Sequence, residues 1–240
     1  MKTIKIDKYF KGMVANRGLS GIETENTVFA YLAAANHSYN GISCDLLVTK
    51  DQKLILTAET SLLKYGLLNL DIQSFDYDEL IKHNLVDRKS QNLSNYFFIP
   101  QLKDFLTICK AYEKNSFIKI NPFLKNHVLD DMLTEIEDYY RQKNCFFIVE
   151  NKKQIDRLIS KSIDVSHIFY ALKDTSQDNY EYCNKLKLNV YLDKTLVDKD
   201  YIKKLHLIGL KVITGVINDK SQAEKFIKYD IDFIFTNILE

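Results

Sequence analysis

The stretch Val14-Ala15-Asn16-Arg17-Gly18-Leu19-Ser20-Gly21, followed at once by Thr24-Glu25-Asn26-Thr27, decides how the rest of the chain is read. Apolar residues lead up to Asn16, glycines flank a loop, and Thr24 is placed to cap a helix over Glu25–Asn36. Strand, loop and helix in that order make the opening of a βα unit.

Working outward, the same alternation recurs. Ile42–Val48 reads as a strand, Lys50-Asp51-Gln52 as a turn and Leu54–Thr57 as a second strand, with too few residues between them for a crossover helix. Asp76–His83 reads as a short helix and Asp87–Asn95 as a polar loop. Pro100–Glu113 is an amphipathic helix with Leu102, Phe105, Leu106 and Cys109 on one face. Phe117–Asn121 is a strand ended by Pro122, and Asn126–Gln142 a helix. Four regular pairs follow: strand Cys145–Val149 with helix Lys152–Ser160, Ile168–Leu172 with Ser176–Leu186, Asn189–Leu192 with Lys199–Ile208, and Val212–Val216 with Lys220–Lys228. Phe233–Thr236 is the last strand. The pattern predicts an α/β fold, a single TIM-type (β/α)8 barrel over residues 1–240, with nine strand candidates for eight places. An open doubly wound sheet is the structural alternative, but no Gly-x-Gly-x-x-Gly follows any strand.

Composition bounds the function. The chain has 240 residues, is 46% hydrophobic, and its 33 basic and 32 acidic residues nearly cancel. Net charge therefore suggests neither a nucleic-acid partner nor a polybasic membrane patch, although local patches stay open. Met1–Lys11 is basic and short with no apolar run behind it, unlike a signal peptide or a transmembrane segment. Cys44, Cys109, Cys145 and Cys183 are far apart on apolar elements, which reads as buried thiols in a reducing, cytoplasmic setting.

Chemistry in such a barrel sits at the C-terminal ends of the strands. The residues there are Asn16 and Arg17, Ser43 to Asp45, Ala58 and Glu59, Lys119 and Asn121, Glu150 and Asn151, Lys173, Asp193, Asn218, Thr236 and Asn237. Histidine is missing from that set. His37, His83, His127 and His206 lie on or beside helices and His167 at the start of a strand, so all five read as structural or surface groups.

The opening stretch resembles that of the glycerophosphodiester phosphodiesterase family, a strand ending in His-Arg-Gly before a Pro-Glu-Asn-Thr helix start. Arg17, Gly18, Glu25, Asn26 and Thr27 match; Asn16 and Thr24 replace the His and the Pro. The family's Glu-x-Asp, Thr-Lys-Asp-Gly and His-Asp run reads here as Ser43-Cys44-Asp45, Thr49-Lys50-Asp51-Gln52 and Ala58-Glu59. Its Glu-x-Lys-Pro reads Lys119-Ile120-Asn121-Pro122, and its Ile-Pro-Thr-Leu reads Ile99-Pro100-Gln101-Leu102. Val216-Ile217-Asn218-Asp219 and Asp232-Phe233-Ile234-Phe235-Thr236-Asn237 resemble its last two segments.

The resemblance implies a phosphoric diester hydrolase of lipid metabolism. Such an enzyme releases an alcohol and glycerol 3-phosphate, using two histidines as acid and base and carboxylates that hold Mg or Ca. Both histidine positions, Asn16 and Ala58, are changed here. Of the metal positions Ser43, Asp45 and Lys119, only Asp45 keeps a carboxylate. A hard cation wants several anionic oxygens. Two unit positive charges about 4 Å apart repel by about 4 kcal/mol at an effective dielectric near 20, and a divalent ion doubles that. The expectation is therefore a degenerate member, a pseudoenzyme with no cofactor, in which Lys119 pairs with Asp45 in the ion's place. Arg17 then leaves the mouth positive, and Arg17, Lys119 and Asn16 are the candidates to hold a small phosphate ester, with Asn121 and Asn237 as neutral donors. Two alternatives stand beside it: an active hydrolase with a metal relocated to Glu59, Glu150 and Asp193, and an interaction scaffold with an empty barrel.

Overall fold

The structure, a computed structural model, describes residues 2–6, 9–61, 63, 71–83, 85–86, 93–94 and 98–240. Its strands are β1 (Met13–Ala15), β2 (Gly41–Val48), β3 (Leu54–Leu56), β4 (Leu85–Val86), β5 (Leu93–Ser94), β6 (Asn115–Ile120), β7 (Cys145–Val149), β8 (Ile168–Leu172), β9 (Asn189–Asp193), β10 (Val212–Gly215) and β11 (Phe233–Thr236). Its helices are α1 (Val28–Ala35), α2 (Tyr77–Leu80), α3 (Leu102–Ala111), α4 (Asn126–Tyr139), α5 (Lys152–Ser160), α6 (Gln177–Leu186), α7 (Lys199–His206) and α8 (Lys220–Ile227).

Eight parallel strands close into a TIM-type barrel in the order β1, β2, β6, β7, β8, β9, β10, β11, and β1 pairs with both β2 and β11. The ninth strand candidate is resolved. β3 lies outside the barrel and pairs antiparallel with the upper half of β2, Leu46 opposite Leu56 and Val48 opposite Leu54. This hairpin has its own small core of Leu47, Ile55, Ile72, Tyr77, Leu80 and Ile99.

Two packed layers follow from the period-two alternation of the strands. Val14, Phe117, Ile148, Phe169, Ile213 and Phe235 point inward and fill the barrel. Their neighbours, such as Ile118, Val149, Ile168 and Val190, point outward into the main core against the helices. Phe117 packs edge-on to Phe235 with centroids 5.6 Å apart and stacks on Phe146 at 4.9 Å. Gly41 makes room for this layer, because a Cβ there would lie 2.6 Å from the Phe117 ring.

Several boundaries differ from the sequence reading. The first helix starts at Val28, not Glu25, and Thr27 rather than Thr24 caps it by accepting from the Ala30 amide. The cause is Asn26, whose φ of 53° is left-handed and cannot continue a helix. The third helix starts at Leu102 behind a capping box of Gln101 and Asp104. Most of the loop predicted over Asp87–Asn95 lies outside the described residues. Within it Leu93–Ser94 departs from the reading and pairs antiparallel with Leu85–Val86. All four cysteines are free and buried, as read, and burial pushes the Cys44 and Cys109 thiols well above their ordinary range.

No helix follows β11. The chain turns back beside the N-terminal segment, with Ile4 bridged to Leu239. Glu240 then accepts from Thr3, from the Ser38 amide and hydroxyl, and pairs with Lys5 and His37. Burial alone would raise the Glu240 carboxyl, but Lys5, Ser38 and Thr3 outweigh it and hold it far below the usual carboxylate range. A group lowered in this way contributes stability above its unfolded pKa and loses it as pH falls through the folded value. Glu240→Gln should therefore cost about 2 kcal/mol in urea unfolding near neutral pH, and the gap to wild type should narrow as pH is lowered below 4.5. A gap independent of pH would show that the carboxylate charge is not what ties the two ends together.

Candidate functional site

Stepping two residues up each strand from the inner hydrophobic layer gives the mouth. Val14 leads to Asn16, Phe117 to Lys119, Ile148 to Glu150, Tyr191 to Asp193 and Phe235 to Asn237, while β2 contributes Ser43 and Asp45. Apolar inner positions thus end in polar ones at a single level, the C-terminal end of the barrel.

The loop after β1 sets the electrostatics. Arg17 and Gly18 are both left-handed, with φ of 58° and 76°. Gly18 has no alternative, since a Cβ there would lie 2.5 Å from the Ala30 backbone. This double turn sends the Arg17 side chain across the mouth, where Nε lies 2.6 Å from Asp45 Oδ2 and Nη1 lies 3.0 Å from Glu25 Oε1. Asn26 Nδ2 donates to the same Asp45 oxygen at 3.0 Å, and Tyr31 Oη donates to Asn26 Oδ1. Burial works against the Arg17 charge, but Asp45 and Glu25 prevail and raise its pKa above the ordinary value.

The expected Lys119–Asp45 pair is not formed. Among the described residues no carboxylate lies within 4.0 Å of Lys119 Nζ, which donates instead to Asn16 Oδ1 at 3.0 Å. The reason is that Arg17 reaches Asp45 first, with a longer side chain on a backbone turned toward it. The ammonium sits 4.9 Å from the Phe235 ring centroid and 5.9 Å from that of Tyr191. Burial lowers its pKa, Asp45 offsets part of this, and Arg17 adds repulsion. The charge balance also departs from the reading. Arg17, Lys119, Asp45 and Glu25 together sum to zero, because Glu25 joins the cluster.

Asn16 is buried and fully engaged. Its Oδ1 accepts from Lys119, lies 3.5 Å from Ser43 Oγ, and its Nδ2 donates to Asn237 Oδ1 at 3.0 Å. Ser43 Oγ accepts from the Arg17 amide. A cavity of about 170 Å³ opens beside this network, lined among others by Asp45, Ala58, Lys119, Asn121 and Glu150. The remaining candidates do not join this hydrogen-bond network. Glu59 is exposed beyond the β3 hairpin. Asp193 is exposed and accepts from the amide and hydroxyl of Thr195. The Asn121 side chain accepts from the Phe123 amide, so it shapes its own loop.

The residues at the metal positions do not fit a divalent cation. Ser43 offers a hydroxyl already accepting an amide, Asp45 is held by a guanidinium, and Lys119 brings a positive charge. Among the described residues, Glu59, Glu150 and Asp193 do not form a group of three that could hold one either.

The sequence reading passed over Asn26 and Tyr191. Asn26 carried a signal, since asparagine is the common non-glycine residue at positive φ. Tyr191 carried one in the alternation of β9, between outward Val190 and Leu192. Its hydroxyl donates to the Gly215 carbonyl, and burial, with Asp193 next, pushes its pKa up to about 12.

Residues 17–240 match the model of the glycerophosphoryl diester phosphodiesterase family. A glycerophosphodiester phosphodiesterase of Bacillus altitudinis is 22% identical, over 93% of this chain and 93% of that one. An uncharacterized protein of Mycoplasma genitalium is 26% identical, over 91% of this chain and 96% of its own length. An Oleispira antarctica phosphodiesterase solved with its product sn-glycerol-3-phosphate superposes with a TM-score of 0.82 at 16% identity, covering 98% of this chain and 96% of that one.

Lys119 is a desolvated cation whose hydrogen-bond partner among the described residues is the Asn16 amide oxygen. Burying a charge without an opposite charge beside it is costly, and an apolar side chain of similar length removes that cost. Lys119→Met should therefore unfold at the same or a higher urea concentration than wild type. A loss greater than about 1 kcal/mol would show that the bond to Asn16 is structural.

Proposed function

Because the chain belongs to the glycerophosphoryl diester phosphodiesterase family, we propose that it is a degenerate member with little or no hydrolase activity that binds a small phosphate ester at the barrel mouth without a divalent cation. One observation carries this reading. The polar centre of the mouth is Asn16 locked between Lys119, Ser43 and Asn237, and Ala58 lines the adjoining cavity, so neither position offers a group that exchanges a proton near neutral pH.

Lys119 supports the binding half. It is the mouth cation without a carboxylate partner among the described residues, and it borders the cavity. A phosphate oxygen there would gain a charge-assisted bond to the ammonium in a site screened from water. Arg17 contributes indirectly, by offsetting part of the negative charge of Asp45 and Glu25 that would otherwise repel an anion. The structural relative that holds sn-glycerol-3-phosphate suggests the class of ester to try first. The buried free thiols are in keeping with a cytoplasmic location. Among the described residues no helix is long and apolar enough to cross a membrane.

Calorimetry and an assay together test the proposal. With magnesium or calcium, the protein should hydrolyse glycerophosphocholine no faster than a blank, because losing the acid and base costs ~10²–10⁴-fold each. With chelator present, sn-glycerol 3-phosphate should bind wild type and not Lys119→Met. Neither calcium nor magnesium should bind wild type, whereas Ser43→Glu with Lys119→Glu should gain cation affinity. Metal-dependent turnover abolished by Asp45→Ala would overturn the reading.

A further inference from the structure

In this barrel the helices that follow β1 and β6 to β10, together with α3, all run antiparallel to the strands. Their C-terminal ends therefore meet on the face opposite the mouth. Helix C-termini favour cations, and α3, α5, α6, α7 and α8 each carry lysine or arginine in the last turn. The connections into the next strands add Arg141, Lys143, Lys187, Lys211 and Lys228. Acidic residues favour the other end, with Asp198 and Asp219 capping α7 and α8. A chain of net charge +1 thus concentrates its positive charge on one face.

Part of that charge is internally matched. Arg157 and Lys161 pair with Asp130, and His206 faces Asp230 and Asp232. Two grooves hold lysines with no ion pair among the described residues. One, of about 340 Å³, is bordered by Lys110, Arg141, Lys143 and Tyr140, with Glu113 its single acidic residue. The other, of about 390 Å³, is bordered by Lys199, Lys203, Lys228, Tyr229 and Leu207, with Asp230 beside His206 its single acidic residue. Leu207 is 79% exposed although it sits between these cations, and Tyr112 at the end of α3 is 40% exposed.

We propose that this face docks onto a bilayer surface rich in anionic phospholipid. Lysines give the non-directional attraction that a layer of lipid phosphates rewards, and their stems leave room for an apolar side chain to enter between headgroups. Leu207 is that side chain, and Tyr112 and Tyr229 suit the headgroup level. A nucleic acid would make no use of an exposed leucine. The surface is separate from the mouth and does not depend on what the mouth binds.

Vesicle co-sedimentation decides it. Wild type should bind vesicles of phosphatidylcholine with roughly one third phosphatidylglycerol, should ignore phosphatidylcholine alone, and should be released by about 0.5 M salt. Lys203→Glu with Lys228→Glu should weaken binding roughly tenfold or more. Leu207→Asp should weaken it at unchanged circular dichroism. Lys173→Glu with Lys194→Glu, the same charge change on the mouth side, should bind like wild type. The proposal is overturned if wild type ignores the anionic vesicles, or if the mouth-side pair weakens binding as much as Lys203→Glu with Lys228→Glu. It is equally overturned if Leu207→Asp binds like wild type, or if duplex DNA competes the protein off the vesicles.

Discussion

β1 is three residues long, yet its backbone pairs in parallel with β2 on one side and β11 on the other. Without it the sheet would be open, with two parallel edges exposed to water. Closure fixes which residues face inward on every strand, because the alternation then has one interior and one exterior. It also fixes the height at which Asn16 leaves β1, level with Asn237 through the Asn16 amide bond to Thr236 and the side-chain bond to Asn237. The mouth is assembled by the same hydrogen bonds that close the barrel.

At that mouth, backbone conformation decides the electrostatics. Arg17 is left-handed, an uncommon state for a residue with a long side chain. The strain is offset by the two carboxylates its guanidinium reaches and by the Asn26 amide bonded to its carbonyl. Asp45 is then occupied, and Lys119 is left to an amide oxygen and two aromatic rings. A site built for a divalent ion would need this carboxylate open toward the cavity and no ammonium beside it. The four charges of Arg17, Lys119, Asp45 and Glu25 cancel, and Lys119, which has no carboxylate partner among the described residues, borders the cavity.

Much of this was legible in the sequence. Element order gave the closed barrel, and the short Lys50-Asp51-Gln52 turn marked β2 and β3 as a hairpin, although nothing local said that β3 would be the strand left outside. The strand-end rule picked Asn16, Ser43, Asp45, Lys119 and Glu150 without knowledge of the fold's details. What the sequence could not convey was which cation would take Asp45. Lys119 and Arg17 compete for it, and the outcome rests on two consecutive positive φ values that no residue type but Gly18 announces. Glu59 is a related case. It follows a strand that lies outside the barrel, and the residues between, Thr57 and Ala58, line the mouth cavity while Glu59 itself is exposed.

The two faces of the barrel express one rule at different scales. The helices α7 and α8 put acidic caps toward the mouth, and α3, α5, α6, α7 and α8 put lysine or arginine toward the far side, a preference of a few tenths of a kcal/mol to about 1 kcal/mol per charge. In a bundle of antiparallel helices these preferences cancel. In a barrel, where the helices are parallel to one another, they add and become a field across the molecule. On a bilayer held by the basic face, the mouth opens toward water and away from the acyl chains. On the proposed reading, a ligand at Lys119 would then be a water-soluble phosphate ester, such as the headgroup portion of a lipid already stripped of its chains. The field that would draw the far face to anionic lipid leaves acidic residues around the mouth. On the proposed reading, anion binding there would rely on the short-range geometry of Lys119 and the ion-paired carboxylates, not on long-range attraction.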